Sequence, residues 1–242
     1  MDSTFIELKN ITKKFPGVKA LDCVNFDVKT GEVHALIGEN GAGKSTLLKI
    51  LSGIYKEDEG EIQIKGRTIT INSVHRAQEL GISIIHQELN LVPNLDVASN
   101  IYLGREPCSI IPAKIDHSRL YSDTEKLLGD LDIELSPRAR VGELNIGYQQ
   151  LTAIAKAISL DARVVIMDEP TSSLASKEVD ILFRIVKRLI KSGISVIFVS
   201  HRLEEVLRIS DRITCLCDGR LVGTVNSEVS SHDSLIQMML GQ

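Results

Sequence analysis

Residues 38 to 46 read Gly38-Glu39-Asn40-Gly41-Ala42-Gly43-Lys44-Ser45-Thr46, a match to the phosphate-loop pattern G-x-x-x-x-G-K-[ST]. The pattern carries its own chemistry. Its glycines let backbone N–H groups close around a polyphosphate, Lys44 reaches the outer phosphates, and the Ser45 hydroxyl can ligand Mg²⁺. The flanks supply the context this needs. Val33 to Ile37 is a β-branched, apolar strand, and Ser45 to Leu51 opens a helix whose N-terminal dipole favours an anion. The alternative, a glycine-rich turn with an incidental lysine, does not explain a strand on one side and a helix on the other. The segment predicts binding of a nucleoside triphosphate.

Working outward, Phe5 to Leu8 and Val24 to Val28 alternate and are broken by Pro16-Gly17 and Thr30-Gly31, which predicts an antiparallel sheet ahead of the loop. Glu61 to Ile71 continues it around a Lys65-Gly66 turn, and the acidic run Glu57 to Glu61 reads as a solvated loop. From about Asn94 to Ala162 the pattern is mostly helical, with breaks at Pro107, Pro112 and Pro137. Then follow a buried strand at Val164 to Met167, a helix at Ser176 to Lys191, a strand at Ile194 to Val199 and a helix at Leu203 to Ile209. A hairpin over Ile213 to Cys217 and Leu221 to Val225 and a short helix at Asp233 to Leu240 close the chain. Strands alternating with helices around a phosphate loop predict an α/β fold on a largely parallel sheet.

Composition narrows the function. A charged share of 25% and a hydrophobic share of 43% are those of a globular protein, and the net charge of −4 offers no electrostatic reason for a nucleic-acid partner. Apolar runs such as Ile194 to Val199 are too short to cross a bilayer. Met1 to Thr4 shows neither a charged n-region nor an apolar h-region, so no export signal is expected there. Of the 4 cysteines, Cys23 and Cys108 stand alone, while Cys215 and Cys217 share one strand face. A redox or metal pair is one reading of that C-x-C; buried thiols acting as small hydrophobes in a reduced cytosol is the favoured one.

A second constellation lies at Val164-Val165-Ile166-Met167-Asp168-Glu169, an apolar strand ending in two carboxylates. Beside a phosphate loop, the first is placed to hold Mg²⁺ and the second to orient or deprotonate an attacking water. With these two motifs the chain resembles the nucleotide-binding domain of ATP-binding cassette (ABC) transporters over essentially its whole length. Further elements match in order: Phe15, Gln87 in Ile84-Ile85-His86-Gln87-Glu88, Leu144-Asn145-Ile146-Gly147-Tyr148-Gln149-Gln150, Ser172 to Ala175, and Ser200-His201. Singly, Phe15 reads as a core aromatic and Gln87 and His201 as polar residues at strand ends; the shared order argues for the family.

The resemblance implies a P-loop NTPase (RecA-like) core with an N-terminal antiparallel β-subdomain, together about 1–93 and 163–242, and an inserted helical subdomain at about 94–162. It implies ATP and Mg²⁺ as cofactors. Phe15 and Val18 would contact the base side, Gly38 to Thr46 the phosphates, and Asn145 and Gly147 the nucleotide of a partner domain. Ser45, Gln87 and Asp168 would surround the metal, and Glu169, His201, Lys44 and Gln87 would serve hydrolysis. Within the family, stretches such as Phe15-Pro16-Gly17-Val18-Lys19-Ala20-Leu21 and Met167-Asp168-Glu169-Pro170-Thr171-Ser172-Ser173-Leu174 are similar to the ATPases of bacterial ribose/galactose-type importers. Those usually carry two such domains in tandem. The chain is therefore similar to an N-terminal half, or to a half-length subunit. The implied partners are a second ABC domain (a tandem half or a second copy), an integral-membrane sugar permease and, indirectly, a periplasmic or extracellular sugar-binding protein. No nucleic acid is expected, and the implied place is peripheral, on the cytoplasmic side of the membrane.

Two departures bear on the site. The signature loop has Asn145 for serine and Tyr148 for glutamine, and Ala175 replaces an aspartate. Asn145 can still donate through its amide and cap a helix, Gly147 still permits close backbone approach, and Tyr148 adds bulk. In the tandem subfamily the facing phosphate loop often has arginine for lysine, so this signature would meet a weaker site. Competing readings are a ribosome- or DNA-associated ABC ATPase and a regulatory ATP-binding module. The first lacks a basic linker or coiled-coil insertion here, and the second is disfavoured by the presence of both Asp168 and Glu169.

Overall fold

The computed structural model describes residues 4–109 and 114–241. The readings at Met1 to Ser3 and at Pro112 lie outside them. Two sheets organise the chain. The first is antiparallel, with strands β1 (Thr4–Phe15), β2 (Val18–Lys29), β4 (Glu59–Ile64) and β5 (Arg67–Ile69) in the order β2-β1-β4-β5. The second holds β3 (Val33–Ile37), β6 (Ile82–Ile85), β7 (Val164–Asp168), β8 (Ser195–Val199), β9 (Arg212–Cys217) and β10 (Arg220–Asn226) in the order β10-β9-β3-β8-β7-β6. All neighbours in it are parallel except the β9–β10 hairpin.

The central strands read as unbroken apolar runs because both faces of the parallel sheet are covered. Leu36, Ile166, Ile197 and Val199 face a core shared with the antiparallel sheet and α1 (Lys44–Leu51). Val33, Val165, Met167, Val196 and Phe198 face the opposite core. Helix α6 (Ser176–Lys191) packs there through Val179, Leu182, Phe183, Val186 and Leu189, a stripe at helical spacing. Cys215 is buried with Ala35, Ile37, Leu203, Val206 and Leu235, as a small hydrophobe would be, and burial pushes its thiol up to about 11. Helices α7 (Leu203–Ile209) and α8 (His232–Met239) close that side.

Between β6 and β7 lie α3 (Val97–Ile101), α4 (His117–Leu131) and α5 (Ile146–Ile158), which pack on one another. The helices here are shorter and more interrupted than the sequence pattern predicts. Asp132 turns left-handed at φ 62°, and a bridge joins Asp96 to Arg140. Two further differences stand out. The short helix α2 (Val74–Glu79), capped by Ser73, has no strong sequence signal. The acidic run is not simply a solvated loop: Glu59 to Glu61 open β4, while Asp58 and Glu59 pair with Lys13 at 2.8 Å and Lys14 at 2.7 Å. Backbone pairing with β1 and facing lysines make a strand of what charge alone assigns to solvent.

Strand order positions the site. Ile37 pairs with Cys215, Leu36 and Asp168 both pair with Val199, and Ile85 pairs with Met167. The C-terminal ends of β3, β8, β7 and β6 thus meet along one edge. The phosphate loop, Ser200-His201, Asp168-Glu169 and His86-Gln87 all emerge there, where ligands bind in open parallel sheets.

Candidate nucleotide-binding site

The segment 38–43 joins β3 to α1, so Lys44 starts the helix and the loop's N–H groups precede its N-terminus. A cleft of about 290 Å³ opens over it, walled by Asn40, Gly41 and Gly43 to Thr46 on one side and by Gln87, Asp168 and Glu169 on the other, with Ala20 at its margin. A second recess adjoins it, lined by Gly38, Glu39, Asn40, Glu169, His201 and Met239. The Lys44 ammonium donates to the carbonyls of Gly38 (2.7 Å) and Glu39 (2.9 Å). Burial pushes its pKa down, against the pull of Glu169 and Asp168.

The two carboxylates differ in setting. Asp168 ends β7, and burial followed by the charge of Glu169 raises its pKa, with His86, Lys44 and Lys49 opposing. Glu169 has left the strand. Its φ of 49° is left-handed, its N–H donates to the Val199 carbonyl at 3.0 Å, and its Oε1 lies 3.3 Å from Nδ1 of His201. A non-glycine residue held in that region costs about 1–2 kcal/mol, and such strain gathers at functional sites. Here the turn sets Glu169 at the junction of the two recesses. A half-buried carboxylate with an elevated pKa, next to a second carboxylate, a serine hydroxyl and a glutamine amide, forms a set of hard oxygen donors short of positive charge.

The sequence model of the ABC transporter family matches residues 21–172. The chain belongs to the ABC transporter family. A ribose import ATP-binding protein of Rubrobacter xylanophilus is 52% identical over 98% of the chain and 47% of its own length. A galactose/methyl galactoside import ATP-binding protein of Photobacterium profundum is 47% identical over 100% of the chain and 49% of its own length. The chain thus spans about half the length of these curated relatives. Among solved structures, the ADP conformation of an ATP-binding cassette superposes with a TM-score of 0.84 at 26% identity, covering 99% of both chains. A dimeric cassette bound to ADP and phosphate superposes at 0.76 and 27% identity, covering 92% of this chain and 98% of that one.

This cassette brings together most of the residues singled out from sequence: Asn40, Gly41, Gly43, Lys44, Ser45, Thr46, Gln87, Asp168 and Glu169 line the cleft, and Gly38, Glu39 and His201 the adjoining recess. Ala42, within the loop, is buried. Phe15 and Val18 do not line the cleft. Phe15 packs edge-on against Tyr55 with ring centroids 5.3 Å apart, and Val18 is 59% exposed at the β1–β2 turn. Asn145 and Gly147 are also outside it. Asn145 caps α5, its Oδ1 accepting from the Tyr148 N–H at 2.9 Å. The room left by the missing Cβ of Gly147 is taken by the Glu178 carboxylate of α6, so that approach is used within the chain. Sequence reading missed Ala20, Tyr55 and Met239. Ala20 and Met239 reach the site's margins, and Tyr55 reaches Phe15, only through the fold, and no local pattern marks them.

Proposed function

We propose that this cassette binds MgATP in the cleft, hydrolyses it, and powers import of a monosaccharide through a membrane permease. The observation that carries the reading is the convergence of the phosphate loop, Gln87, Asp168, Glu169 and His201 on one sheet edge. Lys44 and the 41–43 backbone would hold the β- and γ-phosphates, and Thr46 the α-phosphate. Ser45, Gln87 and Asp168 fit Mg²⁺, which would neutralise charge on the phosphate oxygens. Glu169 would orient the attacking water in line, His201 would hold the γ-phosphate, and Phe15 and Val18 would take the base.

The relatives' names support the sugar, and the solved dimeric cassettes support a second ATP-binding domain as partner. That domain would place its signature loop over this chain's ATP, while Asn145 and Gly147 would serve the other site. We further read 94–162 as a helical subdomain on a core of about 1–93 and 163–242. A groove beside Gln87, lined by Ile85, His86, Leu89, Leu91, Ala153 and Lys156, supports docking of the permease on the cytoplasmic side of the membrane. An external sugar-binding protein would deliver the sugar.

Titration of the Glu169→Gln chain with MgATP, with solution mass measured in parallel, tests this. Binding is expected. An ATP-dependent doubling of mass assigns a working signature loop to this chain; an ATP-bound monomer assigns closure to another domain. A chain that binds no MgATP overturns the proposal.

A further inference from the structure

The phosphate loop is held from outside by a turn that does not itself line the cleft. Asp218 and Gly219 join β9 to β10, and the Gly219 N–H donates to the Ala42 carbonyl at 3.1 Å while the Gly219 carbonyl accepts from the Asp22 N–H at 2.8 Å. One residue thus ties the loop to β2. In a trans peptide the C=O and the following N–H point in opposite directions. An Ala42 carbonyl drawn outward to Gly219 therefore turns the Gly43 N–H the other way, and Gly43 lines the cleft. The hydrogen bond from the turn aims one of the donors that would meet phosphate.

The packing has little slack. A Cβ on Gly43 would lie 2.6 Å from the Ala20 carbonyl oxygen and 2.8 Å from Leu21 Cδ2. A Cβ on Gly219, whose φ is +76°, would lie 2.8 Å from that same Ala20 oxygen and 3.2 Å from the Lys19 oxygen. The outer side of the junction is pinned by charge. Arg220 reaches Asp22 at 2.7 Å, and Lys19 reaches the other carboxylate oxygen at 2.9 Å. Arg220 is the first residue of β10, so this pair fastens the turn to β2.

We infer that the β9–β10 turn is a positioning element for phosphate binding: Gly219 orients the Ala42–Gly43 peptide, and the Asp22–Arg220 pair holds the turn in place. The inference rests on the MgATP reading above. Asp22, Gly219 and Arg220 do not line the cleft; they act through the loop backbone.

Gly219→Ala must open the contact with Ala20 from 2.8 Å to the ordinary 3.4 Å, a displacement of about 0.6 Å passed directly to Ala42. A misaimed N–H loses most of a charge-assisted bond to phosphate, so about ten-fold weaker binding is expected. Calorimetry with MgADP and with inorganic tripolyphosphate, alongside thermal melts, reads this out. Both ligands should weaken by the same factor, since only the phosphates meet the loop. Arg220→Ala, which strains no backbone, should weaken both by about three-fold, with Arg220→Lys restoring wild-type affinity. Lowered melting temperature with unchanged affinity in Gly219→Ala makes the turn merely structural and overturns the inference. Where Gly219→Ala does not fold, the Arg220 pair decides: loss with rescue by lysine supports the role, and unchanged affinity refutes it. A wild-type chain that binds neither ligand refutes the underlying reading instead.

Discussion

Replacing Glu169 by glutamine separates its chemistry from its place in the fold. The side chain keeps its length, and Oε1 can still accept from His201, now 3.3 Å away. The backbone bond to Val199 at 3.0 Å and the left-handed φ of 49° make no use of the charge. Stability should therefore move by less than about 1 kcal/mol, as for substitutions that disturb neither cavity nor cap. Binding should hold or tighten. Asp168 is raised first by burial and then by the Glu169 charge, so the variant lets Asp168 ionise at lower pH and takes one negative charge away from a polyphosphate. Turnover should collapse. Loss of a positioned general base slows a reaction by about 10²- to 10⁴-fold, equivalent to about 3–5 kcal/mol of barrier. Phosphate release at saturating MgATP, in the assembled transporter, measures the rate; calorimetry and a urea melt measure the rest. Undiminished turnover would falsify the role, and parallel loss of binding and stability would show that the charge is structural.

Two more variants probe other levels of the chain. Arg212 forks onto Asp27 with two contacts of 2.8 Å and reaches Glu32 at 3.2 Å, tying β9 to β2 and so one sheet to the other. Arg212→Met should cost about 2–3 kcal/mol in urea unfolding, less than for a wholly buried pair because Asp27 regains water, and a cost under about 0.5 kcal/mol refutes this. The Arg212 hydrogen bond holds the Asp27 pKa down, and for Glu32 the bonds from His34 and the Lys29 N–H outweigh a burial that alone would raise it. Depressed carboxylates stabilise above their unfolded pKa values, so wild type should lose stability as pH falls below about 4, and the variant, without the bond that depresses Asp27, should lose less over the same range. Restoring the signature with Asn145→Ser and Tyr148→Gln should hardly change sugar uptake by the assembled transporter, because this loop would face the weaker site. A large gain in uptake would sink that idea.

What the sequence reveals depends on how local the chemistry is. The phosphate loop is legible because its ligands are consecutive backbone groups, and the carboxylates because an apolar strand delivers them. Their meeting is not a local fact. It depends on β3, β8, β7 and β6 lying in that spatial order, with Leu36, Val199 and Asp168 level with one another and Ile85 level with Met167. Family order supplies it where spacing cannot. Contacts between distant residues stay hidden for the same reason: Tyr55 against Phe15, Met239 beside His201, Glu178 over Gly147. The acidic run misleads because charge is read as solvent, while Lys13 and Lys14 sit opposite it.

The state of Lys44 bears on how such a site gains its ligand. Its ammonium rests on two neutral carbonyls, each worth about 0.5–1.5 kcal/mol net, or somewhat more because one partner is charged. A phosphate oxygen offers a charge-assisted bond about twice as strong as a neutral one. The exchange favours phosphate, but only by the difference, so part of the gross attraction offsets release of the resting contacts. The same contacts keep the ammonium inside the loop, where its rotamers are already ordered before ligand arrives. Among the cleft-lining residues Lys44 is the cation, facing Asp168 and Glu169. Without a metal to balance those carboxylates, a triphosphate would meet two like charges for one opposite charge. The donor set of Ser45, Gln87 and Asp168 answers that imbalance, which is why binding of ATP should depend on Mg²⁺ rather than merely tolerate it.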